Sequence, residues 1–249
     1  NIRRSQRVAV GVGSRGIDRL PEMVRIVCGA ILRVGAKPVI IPAMGSYGGA
    51  KPEGQTSVLA SLGITEAACG APVLSSMETV QIGTVFSEVP VVFSGDALAM
   101  DHSIFINRVK PHTKFKAPVE SGLLKMLCVG MGKHEGALNY HKYALKYGFY
   151  EIQKAMGRVA LENANVRFAV GIVENAYDKP LVVEAVPADR IFEREPALLK
   201  QAKENLPVLP VRDLDVLVIH RIGKEISGAG MDPNVTGRAF DLMESDFSG

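Results

Sequence analysis

The chain has 249 residues, with 29 Lys and Arg against 26 Asp and Glu, giving a formal net charge of +3. So small a charge excludes a polybasic nucleic-acid wrapper or an acidic tail as the main feature of the molecule. The composition, 47% hydrophobic and 22% charged, is that of a globular domain and not of a disordered chain. Three widely spaced cysteines without a Cys-x-x-Cys pair argue against a disulfide framework or a thiolate zinc site, and no apolar run has the length of a membrane span. We therefore expect a cytoplasmic protein without a membrane or nucleic-acid partner.

The first part of the chain alternates strands with a helix. Residues 7–10 and 38–44 are β-favouring runs, and the second is apolar on both faces, as in a parallel sheet. Between them, apolar residues recur at helical spacing over 17–34, with Asp18 as a plausible N-cap and Gly35 as a stop. This alternation predicts an α/β fold, with a mostly parallel sheet and flanking helices in a Rossmann-like N-terminal domain.

The rest of the chain continues the same pattern of elements. A break at 207–210 predicts an N-terminal domain at 1–207 and, at 208–249, the beginning of a second, incomplete α/β domain. The further helices are expected at 52–62, 121–132, 135–147, 150–163 and 193–205, the last of them charged and exposed. The further strands are expected at 72–76, 89–93, 103–109, 168–173, 181–186 and 215–220.

Residues 11–16 (GVGSRG) form a GxGxxG motif between a strand and a helix. In a dinucleotide site these glycines let the backbone approach a pyrophosphate at a helix N-terminus. The next strand, however, ends in 43–46 (AMGS), without the acidic residue that holds a ribose, which argues against a conventional nicotinamide dehydrogenase. A plain tight turn and another anion-binding loop are the alternatives, and Arg15 is a candidate partner for a carboxylate or phosphate.

A second glycine-rich loop, 45–50 (GSYGGA), follows the second strand. Ligands of open α/β sheets bind at the ends of strands, so Tyr47 is expected to project into a cleft there. Ser46, Gly48 and Gly49 could direct backbone N–H groups at a phosphate. The alternative is a flexible turn with a surface tyrosine.

Five cationic groups alternate with other residues directly after a predicted strand. In an extended chain this spacing would put all of them on one side. Their mutual repulsion favours an anionic ligand, a phosphate or a carboxylate. The alternative is an edge strand that lysines protect from pairing, and nucleic-acid binding is disfavoured because the rest of the chain is not basic. The five groups are Arg108, Lys110, His112, Lys114 and Lys116.

The next segment places a lysine in an apolar sequence. Lys125 lies within the run 123–127, where desolvation would make its amine a nucleophile. His134 and His141 follow about two helical turns apart, too far for both to bind one metal as in an HExxH helix. Either histidine could instead be an ordinary side chain with satisfied hydrogen bonds.

Eight segments taken together resemble the lactate racemase family, and in particular its uncharacterised branch. They run in order through nearly the whole chain: GSRGI (13–17), PAMGSYGGA (42–50), EGQ (53–55), RVKPHTKF (108–115), ESGLLKML (120–127), GKHEGA (132–137), IVENAYD (172–178) and SGAGMDPNVTGR (227–238).

This resemblance implies a nickel-pincer nucleotide, a pyridinium-thioamide-thiocarboxylate mononucleotide that holds one nickel ion. In the family a lysine in a Ser-Gly-x-x-Lys context bonds covalently to the cofactor, and Lys125 matches. A later histidine completes the nickel coordination; His141 fits that position, with His134 as the competitor. The cofactor-binding residues expected from the resemblance and from the anion-binding segments are Arg15, Ser46, Gly48, Gly49, Lys110, Ser121, Gly122 and Lys125.

The resemblance also implies two acid/base groups. His112, in Lys110-Pro111-His112, matches the first. The second is a histidine of the family's GSxGG loop, where this chain has Tyr47, and a tyrosine is the poorer base unless nearby cations lower its pKa. This departure argues against symmetric lactate racemisation, whereas an epimerase or a redox reaction with unequal acid and base would tolerate it. We expect a racemase or epimerase of a small α-hydroxy acid that acts by reversible hydride transfer. A non-catalytic nucleotide- or anion-binding module on the same scaffold is the alternative, and the oligomeric state is left open.

Overall fold

The computed structural model describes residues 2–211, 213–222 and 232–236, and within them a five-stranded sheet forms the centre of the fold. Its strand order is β2-β1-β5-β6-β7, in which the first four strands run parallel and β7 pairs antiparallel with β6 at one edge. The predicted α/β class with a mostly parallel sheet is confirmed. The strands, including the β3–β4 hairpin outside this sheet, are β1 (Arg7–Val12), β2 (Lys37–Pro42), β3 (Thr79–Val85), β4 (Val89–Ser94), β5 (His102–Arg108), β6 (Val166–Glu174) and β7 (Pro180–Pro187).

Helices flank the sheet, and a π-helical turn, Met126–Gly130, follows one of them directly. Within the ranges given above, every helix is too short or too polar to span a lipid bilayer. The helices are α1 (Leu20–Arg33), α2 (Pro52–Ser61), α3 (Glu66–Cys69), α4 (Gly95–Leu98), α5 (Leu123–Lys125), α6 (Lys133–Tyr147), α7 (Phe149–Asn163), α8 (Ile191–Glu204) and α9 (Pro233–Thr236).

The sheet is buried on both faces. Successive side chains of β1 point to opposite sides, so Val8 and Val10 join a core cluster with Val24 of α1. Ala9 joins a second cluster with Leu123 of α5 on the other side. Because β1, β2 and β5 are parallel neighbours, their carboxyl ends meet at one edge of the sheet, where α/β proteins bind ligands.

The turn that follows β2 packs directly on the next helix. Gly48 has a φ of +67°, in the left-handed region that favours glycine. A Cβ on Gly54, in the first turn of α2, would lie 1.9 Å from the carbonyl oxygen of Gly48. The two backbones therefore meet without side chains between them, which fixes the loop that carries Tyr47.

We expect Gly54→Ala to lower the free energy of unfolding by about 1–3 kcal/mol, because the added methyl group must displace backbone. Gly16→Ala is the matched control: no atom lies within 4 Å of its Cβ position, so the change should stay below about 1 kcal/mol. Urea unfolding of both variants measures the difference. Equal stabilities would contradict the close contact between Gly48 and Gly54.

Several boundaries differ from the sequence predictions. Asp18 does not cap α1, because the helix begins one residue later and Arg19, with φ of +60°, precedes it. The predicted strand 72–76 makes only one bridge, from Val73 to Ile40, and β3 was not predicted. Strand β3 pairs only with β4 among the described strands, and neither of its faces is fully buried in the core. Its residues are exposed or half-buried and do not alternate clearly between apolar and polar.

The strand predicted at 215–220 is wrong. The segment forms no strand, and the side chains of Val216 and Val218 are 77% and 80% exposed. A β-favouring sequence needs a neighbouring strand to take its backbone hydrogen bonds, and none of the described strands pairs with it. The second domain at 208–249 stays a prediction, because most of it, and most of the segment 227–238, lies outside the described residues.

Candidate functional site

A cavity of about 440 Å³ lies at the edge of the sheet where β1, β2 and β5 end. This volume is within the range of about 300–1,000 Å³ typical of small-molecule sites. The structure brings together on its wall most of the residues predicted for the site: Arg15, Ser46, Tyr47, Lys110, His112, Ser121, Lys125 and His141. Gly48, Gly49 and Gly122 were also predicted but do not line it.

The prediction that five cationic groups share one face of an extended strand is wrong. The strand β5 ends at Arg108, which pairs with Glu174 of β6. The chain then turns: Lys110 and Ser121 exchange backbone hydrogen bonds of 2.8 and 3.2 Å in an isolated antiparallel bridge. The intervening loop 111–120 leaves Lys116 off the cavity wall.

The loop 111–120 is held from inside by a carboxylate. Glu120 is 1% exposed and accepts hydrogen bonds from the backbone N–H groups of His112, at 2.6 Å, and Ala117, at 3.2 Å. It also forms an ion pair of 2.6 Å with Lys203 of α8. Glu120 therefore fixes the backbone of His112, a role that sequence reasoning missed although the residue opens the segment 120–127.

His112 is held as a neutral imidazole. Burial, followed by the charges of Lys125 and Lys110, lowers the pKa of His112 to about 2. Its Nδ1 accepts the backbone N–H of Lys114 at 3.1 Å, and the ring centroid lies 4.5 Å from that of Phe115. With Nδ1 as the acceptor, the neutral ring carries its proton on Nε2 and offers an N–H donor.

Lys125 ends the short helix α5 and lines the cavity. Among the described residues no carboxylate lies within ion-pair distance of its amine, and Nζ is 6.0 Å from the centroid of the Tyr140 ring. Burial, followed by the charges of Lys110 and Arg15, lowers the pKa of Lys125 to about 8. About a tenth of this amine is therefore uncharged at pH 7, far more than of a lysine with the ordinary pKa of 10.5.

The first turn of α5, the helix that carries Lys125, is hydrogen-bonded to a buried carboxyl group of α8. Glu195 is fully buried, and its Oε2 accepts the backbone N–H of Leu124 at 2.9 Å. Burial raises the pKa of Glu195 to about 8. A Cβ on Gly122 would lie 2.2 Å from Oε1 of Glu195, so close packing explains the glycine there.

Sequence reasoning missed Glu195, because α8 was predicted to be charged and exposed. The signal was present in the helical spacing: Glu195 lies one turn from Ile191 and from Leu199, both buried. A carboxyl group in that register has to enter the core, and there it meets the first turn of α5.

Replacing Glu195 with glutamine should flatten the pH dependence of stability. The folded-state pKa of Glu195 is about 8 against an ordinary 4.5, so its stabilising contribution is complete below pH 4.5 and is lost as the pH rises toward 8. The loss should be on the order of 3 kcal/mol by pH 7. Urea unfolding from pH 4.5 to 8 should show this decline in the wild type but not in Glu195→Gln, while the exposed Glu204→Gln keeps it. Parallel curves for the wild type and Glu195→Gln would refute the assignment.

The loop of Tyr47 is fixed by a buried amide. Gln55 of α2 is fully buried and donates from Nε2 to the carbonyl oxygens of Gly45, at 2.9 Å, and Tyr47, at 3.3 Å. The guanidinium carbon of Arg15 lies 5.1 Å from the centroid of the Tyr47 ring, a cation–π geometry. The first two glycine-rich loops thus meet at the cavity through Arg15 and Tyr47.

The structure separates the two candidate nickel ligands. His141, on α6, lines the mouth of the cavity, and partial burial together with Lys125 and Lys114 lowers its pKa, which favours the neutral imidazole that a metal binds. His134, at the start of the same helix, does not line the cavity. Over the part of the chain that the structure describes, no group of three or more His, Cys, Asp or Glu side chains is arranged to hold a metal ion by itself.

These features define an α/β protein with a mostly parallel sheet and a cation-lined cavity at its carboxyl edge. The structure is similar to that of the lactate racemase apoprotein from Thermoanaerobacterium thermosaccharolyticum, with a TM-score of 0.58 and 16% sequence identity over 79% of this chain. At that identity the likeness shows the fold alone, and the chain spans 49% of the length of that protein. No protein-family model and no curated protein matches the sequence.

Proposed function

We propose that this chain binds a nickel-pincer nucleotide and acts as a racemase or epimerase of a small α-hydroxy acid. The observation that carries the proposal is the presence of Lys125, His141, His112 and Tyr47 on the wall of one cavity. The lactate-racemase-like fold supports it. The segments that carry Tyr47, His112 and Lys125, three of those that suggested this chemistry, also border the same cavity.

The residues around the cavity fit such a cofactor. Lys125 offers a buried amine without an acidic partner among the described residues, and such an amine is suited to covalent attachment. The imidazole of His141 is a suitable nickel ligand. Lys110 and Arg15 supply positive charge, and Ser121 a hydroxyl group, for a phosphate.

The nucleotide, held by Lys125 and His141, would supply reversible hydride transfer at the α-carbon of the substrate. The chain would supply charge and proton transfer. Lys110 and Arg15 would attract the substrate carboxylate. Burial is the main cause of the low pKa of His112, and the charges of Lys125 and Lys110 add to it; the carboxylate would offset this second contribution. His112 would then exchange a proton with the substrate hydroxyl on one side, once Nδ1 is released from the N–H of Lys114. Tyr47 would serve the other side.

The alternative is a non-catalytic module that binds a nucleotide or another anion. The cation-lined cavity favours this function as much as the first. Lys125 has no acidic partner within the described ranges, and Lys110 adds positive charge that Asp232 and Glu174 offset only in part, so the cavity attracts a small anion. Both functions take a small-molecule ligand, and we propose no nucleic-acid partner for either.

Co-expression with the enzymes that make the cofactor distinguishes the two functions. We expect an added mass on the peptide of Lys125, bound nickel, visible absorbance and racemisation of at least one α-hydroxy acid in a panel. Lys125→Arg, which keeps the positive charge but is a far weaker nucleophile, should abolish the added mass. If a lactate racemase is loaded under the same conditions while Lys125 of this chain stays unmodified, the proposed function is wrong; phosphate binding in that case supports the module.

A further inference from the structure

The amine of Lys125 is desolvated and has no neighbouring carboxylate among the described residues, whether or not a cofactor is bound. The side chain is half-buried on the cavity wall, which the apolar Met126, Val129 and Ala137 also line, and its Nζ lies 6.0 Å from the centroid of the Tyr140 ring. Its amine faces a cavity but has no carboxylate partner among the described residues. An ammonium group there meets no carboxylate in the part of the chain that the structure describes, and it is only partly hydrated.

Two further cations border the same cavity and act on this amine. Lys110 and Arg15 are half-buried and line its wall, and both disfavour a positive charge on Lys125. Burial, together with Arg108 and Arg15, lowers the pKa of Lys110 as well. A desolvated lysine beside a second cationic group is the arrangement that makes an amine a nucleophile toward carbonyl compounds.

The cavity that exposes this nucleophile also selects for anions. Its cations attract a carboxylate, and the volume of about 440 Å³ easily admits a three- to five-carbon acid. A molecule with a ketone beside a carboxylate would thus bring its carbonyl carbon near the amine while the carboxylate meets Lys110 and Arg15.

We propose that, without any cofactor, Lys125 condenses reversibly with α-keto acids that enter this cavity. The amine lone pair forms a C–N bond to the carbonyl carbon, and the carbonyl electrons move to the oxygen. The two amine hydrogens then leave with that oxygen as water while the C=N bond forms. The balance needs no oxidant or reductant, and addition of water reverses it. The proposal does not rest on the nickel cofactor, so its failure would leave the proposed function untouched.

Reductive trapping tests this step on the protein purified without the cofactor-making enzymes. The protein is treated with pyruvate and cyanoborohydride near pH 7.5, and the lysine-containing peptides are compared by mass spectrometry. We expect a carboxyethyl group on Lys125 at roughly ten times the extent found on Lys200 or more, because an amine of lowered pKa has far more neutral form at this pH. Lys200, whose side chain is 78% exposed, is the internal reference. Equal labelling of the two lysines would overturn the proposal.

Three controls test the roles of Lys125 and of the neighbouring cation Lys110, which both attracts the carboxylate and lowers the pKa of Lys125. Acetone has the ketone without the carboxylate and should label Lys125 weakly, and Lys110→Met should reduce the labelling by pyruvate. Lys125→Met, verified by circular dichroism to be folded, should lose the labelled peptide without a compensating increase at Lys110. Labelling by acetone as strong as by pyruvate, or transfer of the label to Lys110, would contradict the assignment of Lys125 as the nucleophile of an anion-binding cavity.

Discussion

His112→Ala should lower turnover of the cofactor-loaded protein by about 10²- to 10⁴-fold, the usual contribution of a general acid or base. We expect this loss because His112 lines the same cavity as Lys125 and is the proposed proton-exchanging group on one side of the substrate. The mass added to Lys125 should be unchanged, because His112 is not the proposed attachment site. Steady-state kinetics with the α-hydroxy acid accepted by the wild type measure the effect.

The control for His112 is another buried histidine. His102 begins β5, at the amino ends of the parallel strands and so on the side of the sheet away from the cavity. Its ring is hydrogen-bonded to Gln6 and Arg167, and His102→Gln should keep turnover. Nuclear magnetic resonance of labelled histidines adds a readout independent of turnover. His112 should stay neutral from pH 8 to 5 in the free protein, and its pKa should rise when phosphate binds. Full turnover in His112→Ala would remove it from the mechanism.

Tyr47→Phe should abolish turnover, again by about 10²-fold or more, if the phenol serves the second face of the substrate. Its loop is held by Gln55 and by the contact of Gly48 with Gly54, so the ring of the variant should keep its place. Tyr47→His, in contrast to Tyr47→Phe, should be active near neutral pH, because an imidazole exchanges protons there more readily than a phenol. Arg15, which lies over the ring, is unchanged in both variants.

The outcome that contradicts this assignment is full activity in Tyr47→Phe. In that case the phenol takes no part in proton transfer, and another group exchanges the proton on that face. Loss of activity in both Tyr47→Phe and Tyr47→His, with the added mass on Lys125 intact, would instead show that this site needs a phenol.

Local patterns in the sequence predicted the scaffold and much of the cavity wall. Apolar runs such as 38–44 identify buried strands, and parallel strands bring their following loops together, which places Tyr47, His112 and Lys125 at one edge. The family resemblance supplied their proposed roles, which the fold alone does not.

Contacts between distant positions could not be predicted in this way. Glu195 meets Leu124 across 71 positions, and Lys203 meets Glu120 across 83. The helical spacing of α8 indicates that Glu195 faces the core, but no local period identifies the residue that it meets there, because that depends on which element the fold packs against the helix. The five alternating cations show the opposite failure. Their regular spacing predicts an extended chain, but the antiparallel bridge between Lys110 and Ser121 shows that the chain turns back between them.

Helix α8 contacts both the helix that carries Lys125 and the loop that carries His112. Glu195 holds the start of the helix that presents Lys125, and Lys203 pairs with the carboxylate that fixes the backbone of His112. Neither residue lines the cavity. A random mutagenesis screen for inactive but folded protein should therefore recover substitutions in α8 alongside those in the cavity, and a designer who wished to change the substrate would do well to keep this helix constant.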